Sequence, residues 1–309
     1  MKRHLSLVTL CAALVGSAIL PTPGWAAQDD SRCGRVFVAN TQNELLRLRR
    51  TADYFEEIGE RERRSGKVQV RATIPIAGLA AGEALVGIDF RPSTGVLYGV
   101  GRIGNDAVGQ LYTIDVTDGI ATPVGMRAIP LNGVGFGVDF NPVPDLLRIV
   151  SDAGQNIRVR PADGTVAGVD TMLAYPAMGD PNAGRAPQVV AVAYTNPDTS
   201  ALTSTVLHDI DVNRAGDPGG SSDVLAIQVP PNGGVLNTVG RVGVDADEFT
   251  AFDIGFDNEA LLTARPAGSQ FSRLYFVDLP SGEAVDLGRI GNGELIVGLA
   301  IEVGPQCSR

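Results

Sequence analysis

Apolar and polar positions alternate in short runs along this chain, and clusters of Gly, Pro, Asn, Asp and Ser separate the runs. A period of two puts successive side chains on opposite faces, so the pattern predicts half-buried antiparallel strands. The clearest stretch covers 135–168 and reads as three strands joined by turns. Asn141-Pro142-Val143-Pro144-Asp145 makes the first turn and Pro161-Ala162-Asp163-Gly164 the last. Residues 87–100 lie over 137–150 without a gap, fifty positions apart, which marks a repeat. A later phrase, Leu111-Tyr112-Thr113-Ile114-Asp115, returns as Leu207-His208-Asp209-Ile210-Asp211 and as Leu274-Tyr275-Phe276-Val277-Asp278. That match sets His208 against Tyr112 and Tyr275.

Five apolar strands open the units, at 86–90, 136–140, 189–194, 252–256 and 296–301. The last has no full unit after it, and the first strands, 36–39 and 44–48, have no opening strand before them. Both gaps close if the C-terminal strand pairs with the N-terminal strands. The expected fold is all-β: a β-propeller of five four-stranded blades closed in that way. Six blades are the alternative, with two irregular sheets inside the long unit 189–244. In the closing blade, Gly298-Leu299-Ala300-Ile301 matches Gly87-Ile88-Asp89-Phe90, and Val36-Phe37-Val38-Ala39 matches Val96-Leu97-Tyr98-Gly99. Cys33 and Cys307 then fall where the turn between those strands is missing, and a disulfide is expected between them.

Gly (38) and Pro (19) suit many short strands with frequent turns. Residues 1–26 read as a cleaved export signal: Lys2 and Arg3, an apolar run over 5–20, then a break at Pro21-Thr22-Pro23 before Gly24-Trp25-Ala26. A retained membrane anchor is the alternative, but the run is short for spanning. The mature protein is expected to be one domain, 27–309, exported to the periplasm or outside the cell, with no membrane span. An oxidising compartment suits the disulfide. A charged insertion at about 50–67 interrupts the strands, with Glu57 and Arg61, and Glu60 and Arg64, at helical-turn spacing. No helix of any length stands out. Net charge is −10 and the lysines are Lys2 and Lys67, so no basic face for nucleic acid is expected.

Candidate chemistry is sparse. His208 is the one histidine after residue 26, and there is no Gly-x-Ser-x-Gly elbow, so no catalytic residue is assigned. Asp89 and Asp139 sit on equivalent inner strands, and Asp253 is near the same place in its own unit. They either tie neighbouring blades through backbone N–H groups or act as acid and base on a glycosidic bond. Arg148, Asp152, Gln155, Asn156, Arg158 and Arg160 form the densest polar cluster, with Arg158 and Arg160 on one strand face. It is either a ligand face for an anionic or sugar-like group or a network between blades. No metal or other cofactor is expected. Calcium is the alternative at Asp209-Ile210-Asp211-Val212-Asn213 or at Asp245, Asp247 and Glu248. Arg214 stands where a calcium loop needs glycine and no loop is complete, so chelation is expected to change stability little.

Several phrases together resemble a known family. They are Gly87-Ile88-Asp89-Phe90-Arg91-Pro92, Asp139-Phe140-Asn141-Pro142, Val150-Ser151-Asp152-Ala153-Gly154-Gln155-Asn156-Ile157-Arg158, Ala193-Tyr194-Thr195-Asn196 and Pro230-Pro231-Asn232-Gly233. The chain resembles the bacterial domain-of-unknown-function family 4394 over nearly all of its mature length. That likeness implies a secreted or surface protein with a propeller-like β fold and brings no activity with it. The charged insertion and His208 depart from the pattern. The expected function is a non-catalytic binding or scaffold module, a monomer whose ligand is a small molecule, a glycan or a protein. A carboxylate-dependent glycan hydrolase and a purely structural surface protein are the alternatives.

Overall fold

The computed structural model describes residues 33–58, 66–212 and 223–307, with the side chains of 55–58 outside that description. The export signal at 1–26, most of the loop at 215–223 and the part of the charged insertion at 59–65 lie outside the described residues. The N-terminal elements are β1 (Arg35–Asn40), β2 (Glu44–Arg50), α1 (Thr51–Ile58), β3 (Lys67–Val68) and β4 (Ala72–Pro75). Blade I comprises β5 (Glu83–Arg91), β6 (Val96–Ile103), β7 (Val108–Ile114) and β8 (Ala121–Pro130). Blade II comprises β9 (Phe136–Asn141), β10 (Leu146–Ser151), β11 (Asn156–Val159) and β12 (Val166–Val169). Blade III comprises β13 (Val189–Tyr194), β14 (Leu207–Asp211), β15 (Val224–Gln228) and β16 (Leu236–Arg241). Blade IV comprises β17 (Ala251–Ile254), β18 (Ala260–Ala264), β19 (Arg273–Val277) and β20 (Ala284–Ile290). The C-terminal β21 (Ile296–Ile301) lies beside β1 in the order β21-β1-β2-β4, which is blade V.

The result is a five-bladed β-propeller whose last blade is shared by both ends of the chain. Residues 189–241 make one sheet, so the six-bladed alternative is not met. Cys33 and Cys307 are joined, with their Cα atoms 5.6 Å apart, where the other blades have a turn. Beside them Arg35 forms an ion pair with Glu302, and the Glu302 N–H donates to the Arg35 carbonyl at 2.8 Å.

Inner strands β5, β9, β13, β17 and β21 surround the axis. They carry Gly87, Gly137, Ala191, Ala251 and Gly298 at one shared level, because the strands approach too closely there for anything larger. A Cβ at Gly137 would lie 2.8 Å from the backbone of Ala191, and one at Gly298 would lie 3.0 Å from the Ile88 nitrogen. Apolar clusters fill the spaces between blades. Phe37 of blade V packs on Phe90 of blade I, and Tyr98 of blade I packs edge-on against Phe140 of blade II. Each is an interblade aromatic contact of the kind that adds to simple burial. At the rim, the Ala121, Leu236 and Ala284 N–H groups donate to carbonyls of the preceding blade, at Ala77, Ala174 and Val242.

Three local expectations are corrected. Val36 pairs with Ile301, as Leu97 pairs with Phe90, so the counterpart of Val36 is Leu97 and not Val96. A one-residue slip exchanges the two faces of a strand, and burial of Val36 among blade IV and V residues fixes the register. The Leu207–Asp211 phrase forms the second strand of its blade, whereas Leu111 and Leu274 lie in third strands. His208 therefore corresponds to Tyr98 and Phe37 rather than to Tyr112 and Tyr275. Finally, residues 51–58 of the charged insertion form a short helix, α1, anchored by Tyr54 in the core between blades IV and V. The insertion is the enlarged turn between the third and fourth strands of blade V. Its β3 crosses to blade IV and pairs in parallel with β20 as a fifth strand.

Candidate functional site

The axis carries the most unusual chemistry. Asp89, Asp139 and Asp253 take one position in β5, β9 and β17, and Ala193 and Ala300 take it in β13 and β21. One carboxylate oxygen from each Asp lies within 4.8 Å of the other two, and all three residues are at most 5% exposed. Asp89 accepts the N–H of Phe140 at 2.7 Å, Asp139 that of Tyr194 at 3.1 Å, and Asp253 that of Ile301 at 2.5 Å. In each case the donor belongs to the next blade. Where the preceding blade has alanine, the N–H turns inward. Ile254 donates to Asp253 at 2.6 Å and Phe90 to Asp89. Three carboxylates thus serve the N–H groups of five inner strands, which a buried backbone requires.

Burial raises all three carboxyls, and their mutual repulsion adds to the rise at Asp89 and Asp139; Asp253 is pushed up to about 7. An oxygen-only set in this geometry could hold a hard cation. Between the inner strands is a cavity of about 10 Å³ lined by Ile88, Val138, Val192, Phe252 and Leu299, with none of the three aspartates in its lining. Its volume is about that of one water-sized probe.

The six-residue polar cluster divides into three. Arg148, 1% exposed, bridges blades II and III: it donates to Tyr194 at 2.7 Å, Asn232 at 2.7 Å and Asp170 at 3.1 Å, and also to Asn156. Arg158 forms a two-bond pair with Asp170, both at 2.8 Å. Asp152 and Gln155 hold the connector between blades I and II, accepting the N–H groups of Val134 and Asn132. Arg160 stays at the rim, on Thr165 and the Val166 carbonyl. Arg158 and Arg160 thus bond to different partners, Asp170 and the Thr165–Val166 segment. Sequence reasoning missed Asp170 and Asn232, because nothing local ties them to Arg148.

Of the first acidic stretch, Asn213 lies outside the described residues. Asp209 and Asp211 lie inside β14 and are buried. Asp211 accepts the Tyr175 hydroxyl and the Gln188 N–H, each at 2.6 Å. Asp209 has no hydrogen-bond partner among the described residues, and burial drives its carboxyl well up. Asp247 pairs with Arg265, whose guanidinium also covers the Phe249 ring.

His208 is buried, with Nδ1 unbonded, and desolvation lowers its pKa to about 4. A histidine depressed from 6.5 contributes stability that is present above pH 6.5 and lost as pH falls toward 4. The loss is expected to reach about 3 kcal/mol. His208→Leu, which places there the residue type of Leu261 in blade IV, should remove that loss. Denaturant midpoints of both proteins between pH 7 and 4 check this, and parallel pH profiles would assign the acid sensitivity elsewhere.

A groove lies on blade I. It encloses about 430 Å³ between the start of β6, the end of β7 and the 115–120 turn, lined by Val96, Leu97, Ile114, Val116 and Ile120 with Asp115 and Asp118.

Comparison with solved structures returns matches at low similarity. The Dos1 propeller is 13% identical with a TM-score of 0.38, and the match covers 66% of this chain and 46% of that one. A putative 6-phosphogluconolactonase from Bacteroides uniformis is 14% identical with a TM-score of 0.38, covering 85% and 72%. The WD40 domain of Toxoplasma gondii coronin is 13% identical with a TM-score of 0.39, covering 82% and 58%. Likenesses this distant carry no activity or ligand across. No curated protein matches the chain. One family model does, over residues 63–300, and with that match the chain belongs to the family described as a domain of unknown function, DUF4394.

Proposed function

We propose that this protein is an exported, non-catalytic propeller that binds a small molecule, a glycan or a protein, and that it does so as a monomer through the groove on blade I. The observation that carries this reading is the contrast between the two concavities. A groove of about 430 Å³ falls in the range of ligand sites, and its lining joins apolar side chains with Thr113, Thr122, Asp115 and Asp118, a mixture that suits recognition. The cavity between the inner strands is about 10 Å³, which admits no sugar ring. The axial carboxylates also play matching parts in the ring, whereas a glycosidase needs an acid and a base of different character flanking its substrate. The disulfide is consistent with export, as is the lack, among the described residues, of a helix long and apolar enough to cross a membrane.

Glycan and peptide arrays probed with mature protein test the proposal. Ile120, 53% exposed in the groove, is the residue to change. Ile120→Asp is expected to weaken any captured ligand at least ~10-fold, since it sets a charge against an apolar contact. Binding that Ile120→Asp leaves intact would remove the groove from the proposal. Glycan cleavage abolished by Asp139→Asn would favour the hydrolase.

A further inference from the structure

We propose that the groove on blade I takes a cationic, partly apolar peptide segment, from a protein partner that presents Lys or Arg beside an aliphatic residue. The inference rests on the reading that this groove is the binding site, and it narrows the ligand. The lining carries two carboxylates, Asp115 and Asp118, and no Lys, Arg or His. Both aspartates are exposed, and neither forms an ion pair among the described residues. Hydrogen bonds from the Thr117 hydroxyl and N–H hold the Asp115 carboxyl below the usual carboxylate range, so it is ionised at neutral pH. Arg91, the cross-strand neighbour of the lining residue Val96, is already paired with Asp145 of blade II. A negative edge left without a cation is complemented by a positive group on the ligand.

The rest of the lining says what should carry that group. Ile120 is 53% exposed and Val96 38%, while Leu97 and Ile114 are buried and belong to the apolar cluster between blades V and I. About 430 Å³ is more than one ammonium or guanidinium fills, which leaves room for an aliphatic neighbour. Thr113 and Thr122 face each other in register and offer hydroxyls to a peptide main chain. The acidic wall is also fixed in place. Gly119 N–H donates to the Asp115 carbonyl at 2.9 Å, Ile120 N–H donates to Asp118 at 2.9 Å, and the Gly119 carbonyl accepts the Ala77 N–H at 3.0 Å. A wall set before the ligand arrives lowers the ordering cost of binding.

The test is an array of peptides in which Lys, Arg, Gln or Glu stands between leucines, probed with mature protein, with captured peptides then titrated by calorimetry. Lys and Arg members are expected to be retained over Gln and Glu members, and their binding to weaken as salt rises. Asp115→Asn and Asp118→Asn each remove a charge but keep the oxygen that takes the turn's N–H. Each should weaken binding about 2–5-fold, and the double change roughly 10-fold. Asp163→Asn makes the same change in the matching turn of blade II, where Asp163 accepts the Thr165 N–H, and should leave binding unchanged. Ile120→Ser removes the apolar contact without adding a charge and so reads the groove by itself. Ligands lost with Ile120→Ser but indifferent to both aspartate changes would keep the groove and overturn its cationic ligand. Binding that withstands all three changes would overturn the groove as well. No preference for basic peptides in the wild type would also sink the proposal.

Discussion

Replacing Cys33 and Cys307 together with serine is expected to lower stability by about 5 kcal/mol, and Tm by roughly 10–20 °C. The bond links residues 274 positions apart, so it constrains nearly the whole unfolded chain. Chain-entropy arguments give their largest values for such loops. The folded ring does not depend on the bond alone. β1 and β21 pair over five residue positions, and Arg35 with Glu302 makes a further bridge next to the bond. The double variant should therefore fold, with an unchanged far-ultraviolet spectrum and a lower urea midpoint. Wild-type protein in reducing agent should match it. A loss below ~1 kcal/mol would mean that strand pairing closes the ring by itself and that the cysteines add little.

How far the fold could be read from sequence depended on the kind of signal. The gapless match of 87–100 with 137–150 established the blade, and the unpaired strands at the two ends established the closure. Those are patterns of period and count. Register within the last blade was harder, because Val36-Phe37-Val38-Ala39 is apolar throughout and either alignment looks equally good. Only packing against blade IV decides which face Val36 takes. Leu207-His208-Asp209-Ile210-Asp211 misled for a related reason. Second and third strands share the same alternation, and an aspartate at the end of a phrase reads as a turn signal even when, like Asp211, it is buried.

The candidate sites divide along the same line. Asp89 and Asp139 were visible because each sits at a fixed place in a repeated phrase, and Asp253 because it falls near the same place in its own unit. The partners of Arg148 were not visible. Asp170 follows the outer strand of blade II and Asn232 lies in a rim turn of blade III, 84 positions from Arg148. Neither belongs to a repeated phrase. Turn chemistry explained the presence of Asn232 well enough to hide its second role.

Arg148 is where the next large effect is expected. In blades V and I its position holds Phe37 and Tyr98, each packed on an aromatic of the following blade. In blade II the arginine stands there instead, and Tyr194 of blade III takes its hydrogen bond in place of a ring contact. Arg148→Ala is expected to cost about 3 kcal/mol or more, because truncating one partner of a buried charged network leaves the others uncompensated. Tyr194, Asn156 and Asn232 each lose a donor, and Asp170 keeps only Arg158. Arg158→Ala should cost less, about 1 kcal/mol, since its side chain is 26% exposed and Asp170 retains Arg148. Arg160→Ala at the rim should fall within about 0.5 kcal/mol of wild type. Urea midpoints of the three variants at one pH give the order directly. Equal, small losses with a captured ligand abolished would instead make the arginines a binding surface. A steep order with ligand binding intact means that this blade boundary is joined by a buried network where its neighbours use rings.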